Sequence, residues 1–173
     1  MKFLPKVVLM TGLACATPVF ADVTDAGSER RFFIPAAEPG LAIPRGDWAL
    51  NKEQRRPDGK VAYYMMYSEQ AKAVFSVYID QTGPCRTSDE CLKAALKNPM
   101  YKDAQELKTS EDRQFKIASF YLDKPQGTAF SQAHVLAGAY VDGLWFDIHI
   151  SQTSKERPEI GPLLELVKTL QIK

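Results

Sequence analysis

The sequence predicts an α+β domain, an antiparallel β-sheet flanked by helices and closed by an amphipathic C-terminal helix. Three observations lead there. Segments 61–68, 72–80 and 129–152 alternate side chains with the two-residue period of a strand. Segments 87–97 and 162–170 place apolar residues at helical spacing instead. No repeat, low-complexity tract or long linker divides these segments, so one core is expected to serve them all.

Residues 1–21 read as a processing signal. Lys2 and Lys6 form a basic start, Val7 to Ala14 a short apolar core, and Val19-Phe20-Ala21 a cleavage site before Asp22. The apolar run is too short to span a bilayer. Lipidation at Cys15 is the competing reading, weakened by Gly12 where a large aliphatic residue is usual. The expected product is a single domain over residues 22–173, periplasmic or secreted, with no transmembrane segment. The whole chain holds 22 basic and 21 acidic residues, a formal charge of +1. That balance favours neither nucleic acid nor an anionic membrane surface. Once Cys15 leaves with the signal, Cys85 and Cys91 remain, and two nearby cysteines in an exported chain predict one disulfide.

Taken in order, Asp22 to Arg30 is polar and reads as a frayed end, and Arg31 to Ile34 as a short strand. Pro35, Pro39, Gly40 and Pro44 make 35–45 a loop, because proline and glycine break helix and strand alike. Trp48 to Asn51 starts a strand around a core tryptophan, and Pro57-Asp58-Gly59 turns the chain. Val61 to Ser68 carries Tyr63, Met65 and Tyr67 on one face and Ala62, Tyr64 and Met66 on the other, which predicts a central strand covered on both sides. Lys72 to Asp80 is the next strand. Thr87-Ser88-Asp89-Glu90 is a capping box that opens a helix ending before Pro99. Met100 to Ala104 is a helical turn, and strands follow at 106–110 and 114–122. Pro158, Gly161 and Pro162 open the last helix, whose stripe is Leu163, Leu166, Val167 and Leu170.

The most informative stretch is 129–152. Asp142-Gly143 suits a two-residue hairpin turn, where both positions need positive φ. That turn pairs Val141 with Leu144. It gathers Ala133, Val135, Ala137, Ala139 and Val141 with Leu144, Phe146, Ile148 and Ile150 on one apolar face. The other face carries His134, Leu136, Gly138 and Tyr140 with Trp145, Asp147, His149 and Ser151. Both histidines of the chain fall on this second face, one diagonal step apart.

No nucleophile elbow, phosphate loop, dinucleotide fingerprint or zinc helix is present. Ser151, His134 and Asp147 do not make a triad on a sheet, since Asp147 lies opposite Gly138 and nothing supplies an oxyanion hole. His134, Asp147 and His149 together are a ligand set that suits zinc or non-haem iron, and they are the alternative, metal-binding reading. Against it stands the plain reading of a partly buried structural histidine face. A binding surface lined by His134, Tyr140, Trp145, Asp147 and His149 is the third.

The segments IPRGDWAL and FSVYID, with AYVDGLWFDIHIS followed by an amphipathic helix, resemble the layout of the PsbP-like α/β/α sandwich and of small bacterial periplasmic proteins. The resemblance covers Ile34 to Leu170 in element order. It implies a three-layer sandwich and a non-enzymatic binding or accessory role. The expectation is therefore an exported, non-catalytic protein without a cofactor, engaging another envelope or secreted protein. A secreted inhibitor or immunity protein that presents the 35–45 loop is a further alternative.

Overall fold

The computed structural model describes residues 23–35 and 37–173; the leader assigned to residues 1–21 and Cys15 lie outside them. Among the described residues there are eleven strands in two sheets and two α-helices. The first sheet contains β1 (Val23–Ala26), β2 (Glu29–Ile34), β3 (Ala37–Pro44) and β11 (Gln171–Ile172), in that spatial order. The second contains β4 (Ala49–Arg55), β5 (Val61–Ser68), β6 (Ala73–Asp80), β7 (Gln105–Asp112), β8 (Phe115–Asp123), β9 (Ser131–Val141) and β10 (Leu144–Ser154). Its spatial order is β4-β5-β6-β10-β9-β8-β7, antiparallel throughout. Helix α1 (Ser88–Leu96) follows β6, and α2 (Gly161–Thr169) precedes β11.

The molecule is thus mostly β and is not an α/β/α sandwich, which corrects the helix-flanked sheet expected from sequence. The error lies in residues 23–44. The polar start is not frayed: Val23 to Ala26 pairs with Phe32 to Glu29. The 35–45 loop is largely strand β3. Its prolines are tolerated because Glu38, Pro39 and Gly40 together oppose Phe33, between the pairs Ile34–Ala37 and Phe32–Leu41. A bulge is where a strand can hold a residue that lacks an N–H. Gly40 is needed there, since a Cβ would come within 2.7 Å of the Phe32 carbonyl oxygen. Pro44 ends the strand.

This small sheet takes the place expected of a helical layer. Phe32, Ile34, Leu41 and Ile43 pack with Tyr64, Met66, Phe75 and Val77 of the large sheet, and all eight are buried. The Tyr64 hydroxyl donates to the Phe33 carbonyl at 2.9 Å and ties the sheets together. Trp48 is in the same cluster, 5.8 Å from Phe75 between ring centres. Leu163, Val167 and Leu170 of the α2 segment close the core beside the small sheet. The stripe read from sequence therefore docks as expected.

The long hairpin has the register read from its turn, from Leu144–Val141 to Ser154–Ser131. Asp142 (φ 49°) and Gly143 (φ 84°) both adopt positive φ. The apolar face, from Ala133 to Ile150, is buried in the main core apart from half-buried Val141.

Helix α1 lies on the opposite face of the large sheet, chiefly against β9 with β8 and β10. Thr87 caps it by accepting from the Glu90 N–H at 3.2 Å, while the Glu90 carboxylate accepts from the Arg86 N–H at 2.7 Å. The helix comes close because Gly138 leaves room: a Cβ there would meet Leu92 N at 2.8 Å. The Cys85–Cys91 disulfide joins the helix to the loop before it. Leu92, Ala118, Phe120, Leu122 and Leu136 form a second, smaller core under α1.

Candidate functional site

The second face of the large sheet divides into a covered half and an open half. Under α1 the side chains of β8 and β9 are buried. Further along the same face, Tyr63, Met65, Tyr67, Val74 and Tyr78 are only half-buried, while Ala62, Tyr64 and Met66 on the reverse of β5 are fully buried. Strand β5 is therefore open on one side, against the expectation of a strand covered twice. Residues of β10 lie along the boundary: Trp145, Asp147, His149 and Ser151 alternate as half-buried positions.

His134 and His149 do meet. Their rings are nearly parallel, 5.1 Å apart at 9°, with His134 Nδ1 2.8 Å from His149 Nε2. Gln132 fixes the direction of the proton. Its Nε2 donates to Thr153 Oγ1 at 3.4 Å, so its Oε1 is left to accept from His134 Nε2–H at 3.1 Å. His134 Nδ1 must then accept from His149 Nε2–H. The resulting chain runs from His149 through His134 and Gln132 to Thr153. Only the Nδ1 of His149 stays outside this relay.

Aromatic packing encloses the pair. Phe120 stacks on His134 at 5.1 Å, and Tyr101 stands 5.8 Å from His134, 5.9 Å from His149 and 5.0 Å from Phe120. Tyr101 comes from a short 3-10 turn, Pro99–Tyr101, that Asn98 caps by accepting from the Met100 N–H at 3.0 Å. Burial pushes both imidazoles down, His134 to about 3 with His149 adding to the effect, and His149 to about 4. Both are neutral at neutral pH.

Asp147 stands apart from the relay. It pairs across the ladders with Gly138 on one side and Tyr78 on the other. Among the described residues it has no hydrogen bond or ion pair, and burial raises its carboxyl to about 6. Tyr78 and Tyr101 both feel its charge; with burial as the main cause, each hydroxyl is pushed up to about 12. Tyr78 also donates to Asp80 at 3.0 Å and meets the Trp145 ring edge-on at 5.6 Å. Trp145 lies against Gly83, where a Cβ would approach its ring to 2.5 Å, and its indole N–H is buried without a partner among the described residues.

Among the described residues, no three His, Cys, Asp or Glu side chains gather as a metal site. The nitrogens that the His134/Asp147/His149 set would offer are largely spent on each other. The same bonds dispose of a Ser151–His134 couple: Ser151 lies opposite His134, but both imidazole nitrogens already have partners. Tyr140 is drawn to the start of α1, where its backbone N–H donates to Ser88 Oγ at 3.0 Å. Of the five binding residues read from sequence, Trp145, Asp147 and His149 border the open half, whereas His134 is buried and Tyr140 belongs to the helix contact. The sequence placed Tyr101 in a helical turn at 100–104 but not at the site; the turn runs Pro99–Tyr101 and carries the ring against both histidines.

The chain matches no family model and no curated protein. Among the described residues no helix is long and apolar enough to cross a membrane.

Proposed function

We propose that the protein is an exported, non-catalytic binding protein that engages another envelope or secreted protein through the open half of its large sheet. The observation that supports this is the half-buried strip of Tyr63, Met65, Tyr67, Tyr78 and Trp145 on a face that α1 leaves uncovered. Tyrosine, tryptophan and methionine are the residues that protein interfaces concentrate. The Cys85–Cys91 disulfide fits an oxidising compartment, in keeping with the signal read in residues 1–21. The histidines serve this surface by packing: a neutral pair, bonded to each other, holds Tyr101 at its border. The inhibitor reading loses its motivation, because the segment it depended on is strand β3, with Leu41, Ala42 and Ile43 buried.

A photo-crosslinking side chain at Met65 tests the proposal in cells that export the protein, with the same group at Lys108 on the exposed edge strand β7 as control. A discrete protein adduct from Met65 and none from Lys108 is the expected result. Equal labelling from both positions, or turnover of a substrate by the purified protein, would overturn the reading.

A further inference from the structure

We propose that the Asp147 carboxylate and the rings of Tyr63, Tyr78 and Tyr101 form a receptor for an organic ammonium group. The inference rests on reading the open half of the sheet as the binding surface, and it names the chemistry that surface would select.

Tyr63, Tyr78 and Asp147 are directly opposite one another on three adjacent strands, so they make one continuous row across the sheet. Directly opposite residues hold their Cβ atoms within about 5.5 Å. Tyr101 leans over this row from the 3-10 turn: its ring touches His149, two positions along the strand from Asp147, and its hydroxyl feels both Asp147 and Tyr63. On the remaining side, Gly138 brings the backbone of α1 against the sheet. Two phenol rings thus follow Asp147 along the row, a third leans over it, and the carboxylate has no partner among the described residues.

A half-buried anion without a partner calls for a cation, and the rings determine which kind. A metal ion would need several oxygen ligands, whereas aromatic faces beside a single carboxylate suit an organic ammonium. Lys52 Nζ rests 5.9 Å from the centre of the Tyr63 ring, so a cation already sits beside one of the three rings. The histidine pair adds no charge to the row, since burial keeps both rings neutral. The ammonium could belong to a free small molecule or to a lysine side chain of a protein partner. Both present the same group to the row.

Titration of the full mature protein separates these possibilities, with choline as the first probe and N-acetyl-lysine methylamide as the second. The readouts are calorimetry and the carbon-13 carboxyl resonance of Asp147. At least one probe should saturate and move that resonance. The neutral carbon analogue 3,3-dimethylbutan-1-ol should bind about tenfold more weakly or worse, and Asp147→Asn should cost about tenfold in affinity. Saturation by choline alone assigns the site to a small ligand, and saturation by the lysine probe assigns it to a partner side chain; either supports the receptor. Should Asp147→Asn fail to fold, Tyr63→Leu, at a half-exposed position, is expected to weaken the same probe several-fold. The proposal is overturned if neither ammonium probe saturates up to roughly 100 mM, if the neutral analogue binds equally well, or if a folded Asp147→Asn binds as tightly as the parent. Loss of ammonium binding with the Met65 adduct retained would remove this inference and leave the interface standing.

Discussion

Replacing Asp147 by asparagine should make the protein more stable at neutral pH and more sensitive to acid. The folded carboxyl sits at about 6 against an ordinary 3.8. A raised carboxyl favours the fold below pH 3.8, where it is protonated in both states, and loses that advantage as pH rises through 6. Above pH 7 the folded protein therefore carries a cost of up to about 3 kcal/mol at 1.4 kcal/mol per pKa unit, and solvent at the half-buried position trims it to about 1–3. Asparagine keeps the shape and removes the charge. The histidines act in the other direction. Their folded values of about 3 and 4 lie below the ordinary 6.5. Their contribution is complete above pH 6.5 and is lost as pH falls from there towards about 4 for His149 and about 3 for His134. Between pH 6 and 4 the unfolded parent holds about two protons at the histidines, while the fold holds about one at Asp147. Stability should drop by about 1.4 kcal/mol per pH unit in the parent and about 2.7 in the variant. Urea unfolding at intervals from pH 8 to pH 4.5 measures both, and the difference between the two proteins cancels every other group. A variant less stable than the parent at pH 7.5, or parallel pH slopes, would refute the account and mean that the carboxylate has a stabilising partner.

Other substitutions test the remaining joints. Gly138→Ala should destabilise by about 1–3 kcal/mol, because the new methyl meets the α1 backbone at Leu92; thermal melting checks it, with near-ultraviolet circular dichroism following Trp145. Replacing Cys85 and Cys91 together by serine should cost about 2–3 kcal/mol by the loop-entropy account, read from the urea midpoint. Tyr64→Phe should cost about 1 kcal/mol through loss of the hydroxyl's bond to Phe33 across the two sheets, measured the same way.

Much of the fold was legible because its signals are local. Asp142-Gly143 dictates its own turn, and a period of two then commits every later residue of the hairpin to a face. Thr87 and Glu90 likewise mark the start of α1 without help from the rest of the chain. The first sheet was hidden for the opposite reason. Pro35, Pro39, Gly40 and Pro44 look like breakers in isolation, and only pairing with Phe32 and Ile34 shows that the bulge absorbs them. The two-residue strand Gln171–Ile172 has no signature of its own; it is a strand because Ala42 and Leu41 are there to receive it.

The candidate site divides in the same way. Sequence by itself determined that His134 and His149 share a face one diagonal step apart, that Asp147 and Trp145 lie beside them, and that Cys85 can reach Cys91. Those follow from strand periodicity and short separations along the chain. Tertiary structure decided what the face can do. It placed α1 over β8 and β9 and left one face of β5 open, brought Tyr101 in from a separate turn, and closed the imidazoles on each other and on Gln132. The burial of Asp147, and its lack of a partner among the described residues, depend on which distant element covers which strand, and a side chain's alternation along its own strand carries no record of that.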